Sequence, residues 1–161
     1  MSHNYERAYI QGHQVNLRVG GRLKSEKINC VVPALEIAKS PEEWRRFTLT
    51  EKDIILEGGD ILEVKEINQH FTEDPTSWPF YEVIVDTVSG YDAKPVKPIA
   101  YIFVSKKTGH MLTMATEKPR NWKVIRKYDQ YRDIEDDFYF APKSMLRPMS
   151  ALIKYLKERK K

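Results

Sequence analysis

The stretch "DIILEGGDILEVKEIN", residues 53–68, decides the fold. Two apolar runs rich in isoleucine flank a Gly-Gly pair, and this pattern predicts a strand, a tight turn and a second strand. The second run carries Glu63 and Lys65, and the first begins with Asp53. Two acids and a lysine near one end of a half-buried hairpin are the first candidates for a functional site.

The turn determines whether these side chains share a face of the sheet. With a two-residue Gly-Gly turn, Ile54 would lie opposite Glu63 and Asp53 would point away from it. With a three-residue "GGD" loop, Asp53 would lie opposite Lys65, and all three charged side chains would share one face. The sequence leaves both registers open. We favour the second, because it groups two acids with a cation.

Length and composition narrow the class of protein. The 161 residues are 41% hydrophobic and 31% charged, which predicts a single globular domain over residues 1–161. One cysteine, Cys30, excludes a disulfide framework and a thiolate zinc site. No apolar run approaches ~20 residues, and the N-terminus lacks the apolar core of a signal peptide, so we expect a cytoplasmic protein without membrane contact. The net charge of +4 favours polyanion partners only mildly.

The rest of the chain reads as an α/β pattern. We predict an N-terminal helix that ends at Gly20-Gly21, a short helix in "SPEEWRRF" and a terminal helix after Pro148. Further strands are expected in "FYEVIVD", "IAYIFVSKKTGHMLTMA" and "FYFAP", while residues 87–98 and 117–137 are expected to be irregular. These elements predict a mixed sheet of about five strands covered by helices.

The hairpin residues have a chemistry in common. Two converging carboxylates repel each other unless a cation lies between them, and the hard oxygens of Asp53 and Glu63 suit Mg²⁺ together with phosphate and water. Such a metal can polarise a phosphoryl oxygen and lower the pKa of a bound water. The ammonium of Lys65 can orient that water or stabilise charge that develops at phosphorus. The three residues form a workable set for phosphodiester hydrolysis.

This arrangement resembles the core of the PD-(D/E)XK nuclease superfamily, which includes many restriction enzymes and phage or repair nucleases. Its signature is an acid on one strand and (D/E)-x-K on the next, here Asp53 and Glu63-Val64-Lys65. The apolar run "AYIFVSKKTG" suits the superfamily's central third strand. Lys52 stands where the superfamily often has proline, and the resemblance spans roughly residues 4–115.

The resemblance implies a restriction-endonuclease-like mixed β-sheet flanked by helices, in a small protein of phage or prokaryotic type. It also implies an endonuclease that hydrolyses DNA with Mg²⁺ or Mn²⁺. Asp53 and Glu63 would hold the metal. Lys65 would position or activate water, or stabilise the phosphorane charge. Glu6, in "NYERAYI", would support the metal shell from the first helix.

Basic segments are candidates for contact with the nucleic-acid backbone. The run "EKPRNWKVIRKYDQYR" interleaves cations, which neutralise phosphates, with aromatic rings, which stack on exposed bases. The candidate nucleic-acid ligands are Lys94, Arg120, Lys123, Arg126, Lys127 and Arg132. The alternative for the run is a charged surface whose Trp122 and Tyr128 pack into the core.

The segment "VDTVSGYDAK", residues 85–94, is a second place to look for function. Asp86 follows an apolar strand, so it either approaches the site or caps a turn. The four histidines have no metal-ligand spacing, and no phosphate-binding glycine motif or nucleophile elbow occurs.

The sequence thus favours a single-domain, Mg²⁺-dependent endonuclease acting on DNA, with specificity from loops, a homodimer or an accessory protein. Three alternatives stay open. The hairpin charges can be a solvated strand face with weak cross-strand pairs. The fold can be a non-catalytic module that binds nucleic acid or protein. The substrate can be RNA.

Overall fold

The structure is a computed structural model. It describes residues 2–35, 40–42, 52–117, 121–130 and 132–159, and for residues 2–6, 8 and 9 it describes the backbone alone. Most of the helix predicted in "SPEEWRRF" lies outside these ranges. No helix in the described part is long and apolar enough to cross a membrane.

Three α-helices lie in the described residues: α1 Ser2–Ser25, α2 Val88–Ala93 and α3 Met149–Arg159. The predicted terminal helix is confirmed as α3. The predicted end of the first helix at Gly20-Gly21 is wrong, because α1 continues to Ser25. Gly20 serves packing instead, since a Cβ at this position would lie 2.6 Å from Cγ2 of Val32.

Within the described residues, nine strands form two sheets. The strands are β1 Cys30–Val31, β2 Ile54–Leu56, β3 Ile61–Ile67, β4 Glu82–Thr87, β5 Ala100–Ser105, β6 Met111–Ala115, β7 Lys123–Asp129, β8 Ile134–Pro142 and β9 Arg147–Pro148. The first sheet has the order β1-β2-β3-β5-β6-β9, and the second has the order β4-β8-β7. In the described part of the chain, β3 and β5 pair in parallel and the other strand pairs are antiparallel. The α/β class and the mixed sheet are confirmed: this sheet has six described strands where about five were expected, and the separate three-stranded sheet was not expected.

The two segments expected to be irregular contain regular structure. Residues 123–129 form β7, which is exposed or half-exposed along its whole length and so carries no apolar alternation in the sequence. Residues 88–93 form α2, which is too short to show the apolar periodicity of a helix in the sequence. Its first turn is capped by a hydrogen bond from Gly90 N to Thr87 Oγ1 (3.0 Å).

Neither predicted hairpin register is the observed one. Ile55 pairs with Ile61, and Leu56 N donates to Asp60 O (2.7 Å), so the connecting loop is residues 57–59. Gly58 and Gly59 have φ of +97° and +98°, a conformation that glycine adopts without steric cost. Continued by one residue, this register sets Asp53 opposite Glu63. By alternation, Asp53 would then fall on the face of Glu63 and Lys65, but it lies just before β2, and its side chain accepts hydrogen bonds from Asn16 and from Val64 N.

The first sheet lies between two apolar layers. One face packs against α1 and α3 through residues that include Val19, Leu62 and Ile153. The other face packs against the second sheet and α2 through residues that include Phe103, Val83 and Tyr91. Strand β5 is buried throughout, as expected for a central strand, and its residues alternate between the two layers.

Candidate active site

The first arm of the site is β3. Leu62 and Val64 face the helical layer, so the alternation of the strand turns Glu63 and Lys65 toward the second sheet. The parallel pairing sets Glu63 beside Tyr101 of β5. The hairpin therefore carries the E-x-K pair to the space between the two sheets.

The second arm runs from β4 to the end of α2. The pairing of β4 with β8 shifts between Ile84 and Asp86, a β-bulge that lets Val85 and Asp86 both turn inward. Tyr101 Oη donates to Asp86 Oδ2 (3.0 Å), which fixes the carboxylate. At the other end of the arm, Lys94 forms the C-cap of α2 and reaches back to the same place.

Four charged side chains meet where the arms converge, and we call Glu63, Lys65, Asp86 and Lys94 the four-charge cluster. Lys65 Nζ lies 3.7 Å from Glu63 Oε2 and 3.5 Å from Asp86 Oδ1. Lys94 Nζ lies 3.0 Å from Glu63 Oε1 and 3.6 Å from Asp86 Oδ2. Each lysine thus bridges both acids, and each acid presents a different oxygen to each lysine.

Asp53 lies at the edge of this cluster. Its Oδ2 accepts a hydrogen bond from the backbone N–H of Val64 in β3 (2.8 Å). Its Oδ1 accepts a hydrogen bond from Asn16 Nδ2 of α1 (3.2 Å). Burial raises the pKa of Asp53 above its usual range, against the opposing effects of these hydrogen bonds and of Lys65 and Lys94. The residue is held in place from the hairpin and from the helix.

The environment separates the pKa values of the two central acids. Burial and the charge of Asp86 raise the pKa of Glu63, although both lysines oppose this. The pKa of Asp86 is also pushed up by burial, but Lys65, Lys94 and the hydroxyl of Tyr101 bring it below the usual range. Asp86 is therefore the more strongly stabilised anion of the pair.

Lys65 remains an ammonium ion in this setting. Burial lowers its pKa, but the nearby charges of Asp86, Glu63 and Asp53 outweigh burial and raise the pKa above that of a free lysine. A lysine with a raised pKa is a poor general base near neutral pH and a good fixed positive charge. Of the roles predicted for Lys65, stabilisation of developing charge fits best.

The donor atoms suit a hard divalent cation in type. Asp53, Glu63 and Asp86 supply only carboxylate oxygens, and Glu63 Oε2 is buried without a hydrogen-bond partner in the described residues. Within the described ranges, however, no group of three or more Asp, Glu, His or Cys has the arrangement of a metal site. The positions between the acids are taken by the two lysines.

Other predicted site residues lie apart from the cluster or outside the description. Glu6 is in α1, but its side chain is outside the described part, as is all of Arg120. The predictions about these two residues stay predictions. Lys94 lies in the four-charge cluster, on the acids rather than on an exposed phosphate-binding surface.

Three cations of the basic segment, Lys123, Arg126 and Arg132, form ion pairs with acidic side chains. Arg126 contacts Glu135 and Asp137 of β8 at 3.4 and 3.2 Å, and similar pairs join Lys123 to Glu82 and Arg132 to Asp136. Residues 123–137 contain four cations and five acids. This hairpin is therefore a charge-balanced surface, and it gives less support to DNA contact than its first half predicted.

Sequence reasoning gave too little weight to Asp86 and missed Asn16 and Tyr101. The sequence did indicate a role for Asp86, because an acid at the end of an apolar strand often lies at a functional site. The role of Tyr101 depends on the bulge in β4, and the role of Asn16 depends on how α1 crosses the hairpin. Comparisons with family models, curated proteins and solved structures found no match.

Proposed function

We propose that this protein is a divalent-metal-dependent nuclease that hydrolyses phosphodiester bonds of DNA. The observation that carries the proposal is the meeting of Glu63 and Asp86 from different sheets around Lys65, with one buried oxygen of Glu63 that accepts no hydrogen bond in the described residues. Asp53 borders the same place. An acid cluster of this kind, beside a fixed ammonium, is suited to a hard cation and a phosphate group.

The residues that would hold Mg²⁺ or Mn²⁺ are Glu63, Asp86 and Asp53. When bound, the cation would polarise a phosphoryl oxygen and lower the pKa of water. Asn16 and Val64 N orient Asp53, and Tyr101 orients Asp86, so the carboxylates are positioned before any ligand arrives.

Lys65 supplies a fixed positive charge for the reacting phosphate. Its Nζ lies 3.5 Å from Asp86, and its side chain is 36% exposed, so it borders both the acids and the mouth of the site. A charge held there stabilises the extra negative charge of a pentacovalent phosphorus without reorganisation. The residue is not needed as a base in this scheme.

The order of elements supports a restriction-endonuclease-like fold as part of the proposal. A long first helix precedes a meander of β1, β2 and β3, and β5 returns parallel to β3. The candidate acid, Asp53, lies immediately before β2, and the E-x-K sequence lies on the adjacent strand β3. The net charge of +4 and the pI near 9.0 are compatible with a polyanionic substrate.

A non-catalytic binding module is the second candidate function, and one observation favours it. The four-charge cluster already pairs every acid with a lysine, so it can act as a structural link between the two sheets. Such a protein would bind its ligand elsewhere and would cleave nothing.

A cleavage assay separates the two candidates. Plasmid, linear and branched DNA, with an RNA of matched length, are incubated with protein in Mg²⁺, Mn²⁺ or EDTA. We expect wild-type cleavage of DNA with metal only, and a loss of ~100-fold or more in Lys65→Met, as is usual when one preorganised charge is removed. Lys157→Met, which removes a lysine ion-paired with Glu26 on the surface, is the control and should cleave normally. Cleavage in EDTA, or equal cleavage by Lys65→Met, would refute the proposal.

A further inference from the structure

A cationic surface lies at one end of the first sheet, where the turn between β5 and β6 meets α1. It consists of Arg18, Lys106 and Lys107, and we call it the turn surface. We infer, on the basis of the function proposed above, that the turn surface binds the phosphate backbone of duplex DNA. The β7–β8 hairpin, to which the sequence assigned this contact, does not carry it.

The turn surface lies at the end of the strands that carry the candidate site. Strands β3 and β5 are parallel, so their carboxyl ends meet at the same edge of the sheet. Lys65 pairs with Phe103, and Lys106 follows Phe103 by three residues, about 10 Å along an extended chain. Successive phosphates of one DNA strand advance by about 3.4 Å along the helix axis. A duplex with one phosphate at Lys65 therefore has others within reach of the turn surface.

Side-chain hydrogen bonds hold the turn against the loop that follows β3. Ser105 Oγ donates to Gln69 O (2.6 Å), and Thr108 Oγ1 donates to Phe71 O (2.6 Å). Both bonds run from the turn to backbone carbonyls, so they fix the chain on either side of the two lysines. A surface that is ordered before its partner arrives loses less conformational entropy on binding.

The guanidinium of Arg18 joins the turn surface from α1. A Cβ placed on Gly109 would lie 3.6 Å from Arg18 Nη2, so the arginine reaches across to the turn. The planar fork of a guanidinium matches the geometry of a phosphate group, and lysines add point charges beside it. A helix and a turn thus present cations to one surface from two directions.

The charge of the turn surface is not balanced by acids. In the described part of the chain, no ion pair includes Arg18, Lys106 or Lys107, and all three are exposed. Two acids of the adjoining segments, Glu66 and Glu73, bond to side chains of α1 instead, at 2.9 and 3.1 Å. Positive charge without an acidic partner attracts a polyanion, and its phosphate contacts release counterions.

The salt dependence of DNA binding tests the inference. A short fluorescent duplex is titrated with protein in EDTA, which prevents metal-dependent cleavage, and anisotropy gives the affinity at several salt concentrations. Lys106→Ala with Lys107→Ala should flatten the plot of log affinity against log salt by about two units, because each phosphate contact contributes about 0.9. Arg18→Ala should flatten it by about one unit. Arg126→Ala with Lys127→Ala removes the same number of cations from β7 and is the matched control, which should leave the slope nearly unchanged.

A second measurement uses the wild-type protein and needs no variant to fold. Acetylation of lysine amines is followed by mass spectrometry with and without the duplex, again in EDTA. Bound DNA should slow the acetylation of Lys106 and Lys107 severalfold and should leave Lys127, which is exposed on β7, unchanged.

The outcomes separate this inference from the proposed nuclease. Equal slopes for wild type and the Lys106→Ala, Lys107→Ala variant, or equal protection of Lys127 and the two turn lysines, would overturn the inference, and metal-dependent cleavage would still support the nuclease. A flattened slope in a protein that cleaves no DNA would support the turn surface and overturn the nuclease. A wild-type protein that binds no DNA at any salt concentration would overturn the inference outright.

Discussion

The hydrogen bond from Tyr101 to Asp86 makes a testable contribution to stability. Tyr101 is fully buried, and its hydroxyl donates to an Asp86 side chain that is only 10% exposed. Tyr101→Phe removes this donor and little else, because the ring remains. Asp86 then keeps its charge with one partner fewer, in a place that water reaches poorly.

The expected loss follows from the charge on the acceptor. A hydrogen bond to a buried charged group contributes about 1.5–3 kcal/mol to the free energy of unfolding. For a chain of this length, that loss lowers the melting temperature by about 3–12 °C. Tyr155→Phe is the control, because Tyr155 is 53% exposed on α3, and its change should be close to zero. Urea unfolding in EDTA measures both variants without metal.

The effect of pH has a definite sign. The pKa of Asp86 in the folded protein is below the usual 3.8, so its interactions stabilise the fold above that pH and are lost as the pH falls through the folded value. The difference between wild type and Tyr101→Phe should therefore be complete at pH 7 and shrink below about pH 4. A Tyr101→Phe variant as stable as Tyr155→Phe at pH 7, or a loss that persists unchanged in acid, would refute this reasoning.

Three further predictions concern the hairpin, the basic segment and the cysteine. Gly59→Ala should destabilise the protein by about 1 kcal/mol because Gly59 has a φ of +98°. Gly21→Ala in α1 should not destabilise it, and it is a matched control because an added Cβ has no atom within 4 Å at either position. Urea unfolding measures both variants. Arg126→Ala with Lys127→Ala should leave the salt dependence of DNA binding nearly unchanged, because Arg126 is paired with Glu135 and Asp137 and Lys127 lies opposite Asp136 in β8. A slope flatter by about two units in a titration would mean that both residues touch phosphate. The Cys30 thiol, buried and with a pKa raised by burial, should react slowly with a thiol-specific dye until the protein is unfolded in urea, and fast reaction of the folded protein would contradict its placement.

The hairpin and the central strand could be predicted because their signals are local. Alternation and a Gly-Gly turn define β2 and β3, and an unbroken apolar run defines β5. The loop was misplaced by one residue, since glycines with positive φ fit several turn types. Both three-residue loops assign Asp53 by alternation to the face of Glu63 and Lys65, and this shared face stays a prediction.

The second arm of the site could not be predicted, because it depends on contacts between distant parts of the chain. Asp86 turns inward through a bulge against β8, which follows it by some fifty residues. Asn16 reaches Asp53 only because α1 packs across the hairpin. Neither contact leaves a periodic pattern in the sequence.

The DNA contact expected of the basic segment stays a prediction, although several of its cations form ion pairs with acids. The run considered for DNA binding in the sequence ended at Arg132, just before the acids of β8. The sequence interpretation therefore did not count the acidic partners of its cations. The antiparallel pairing of β7 with β8 sets Arg126 opposite Asp137 and Lys127 opposite Asp136. Charge patterns in a hairpin are meaningful only when both strands are counted.

The central claim is that Glu63 and Asp86 belong to one divalent-metal site, and anomalous diffraction from crystals soaked in Mn²⁺ tests it most directly. We expect a single strong anomalous peak between the carboxylates of Glu63 and Asp86, close to Asp53. The same soak of Glu63→Gln crystals should reduce or abolish the peak. A wild-type crystal at saturating Mn²⁺ with no peak between these two carboxylates, or with Mn²⁺ bound only elsewhere, would contradict the claim.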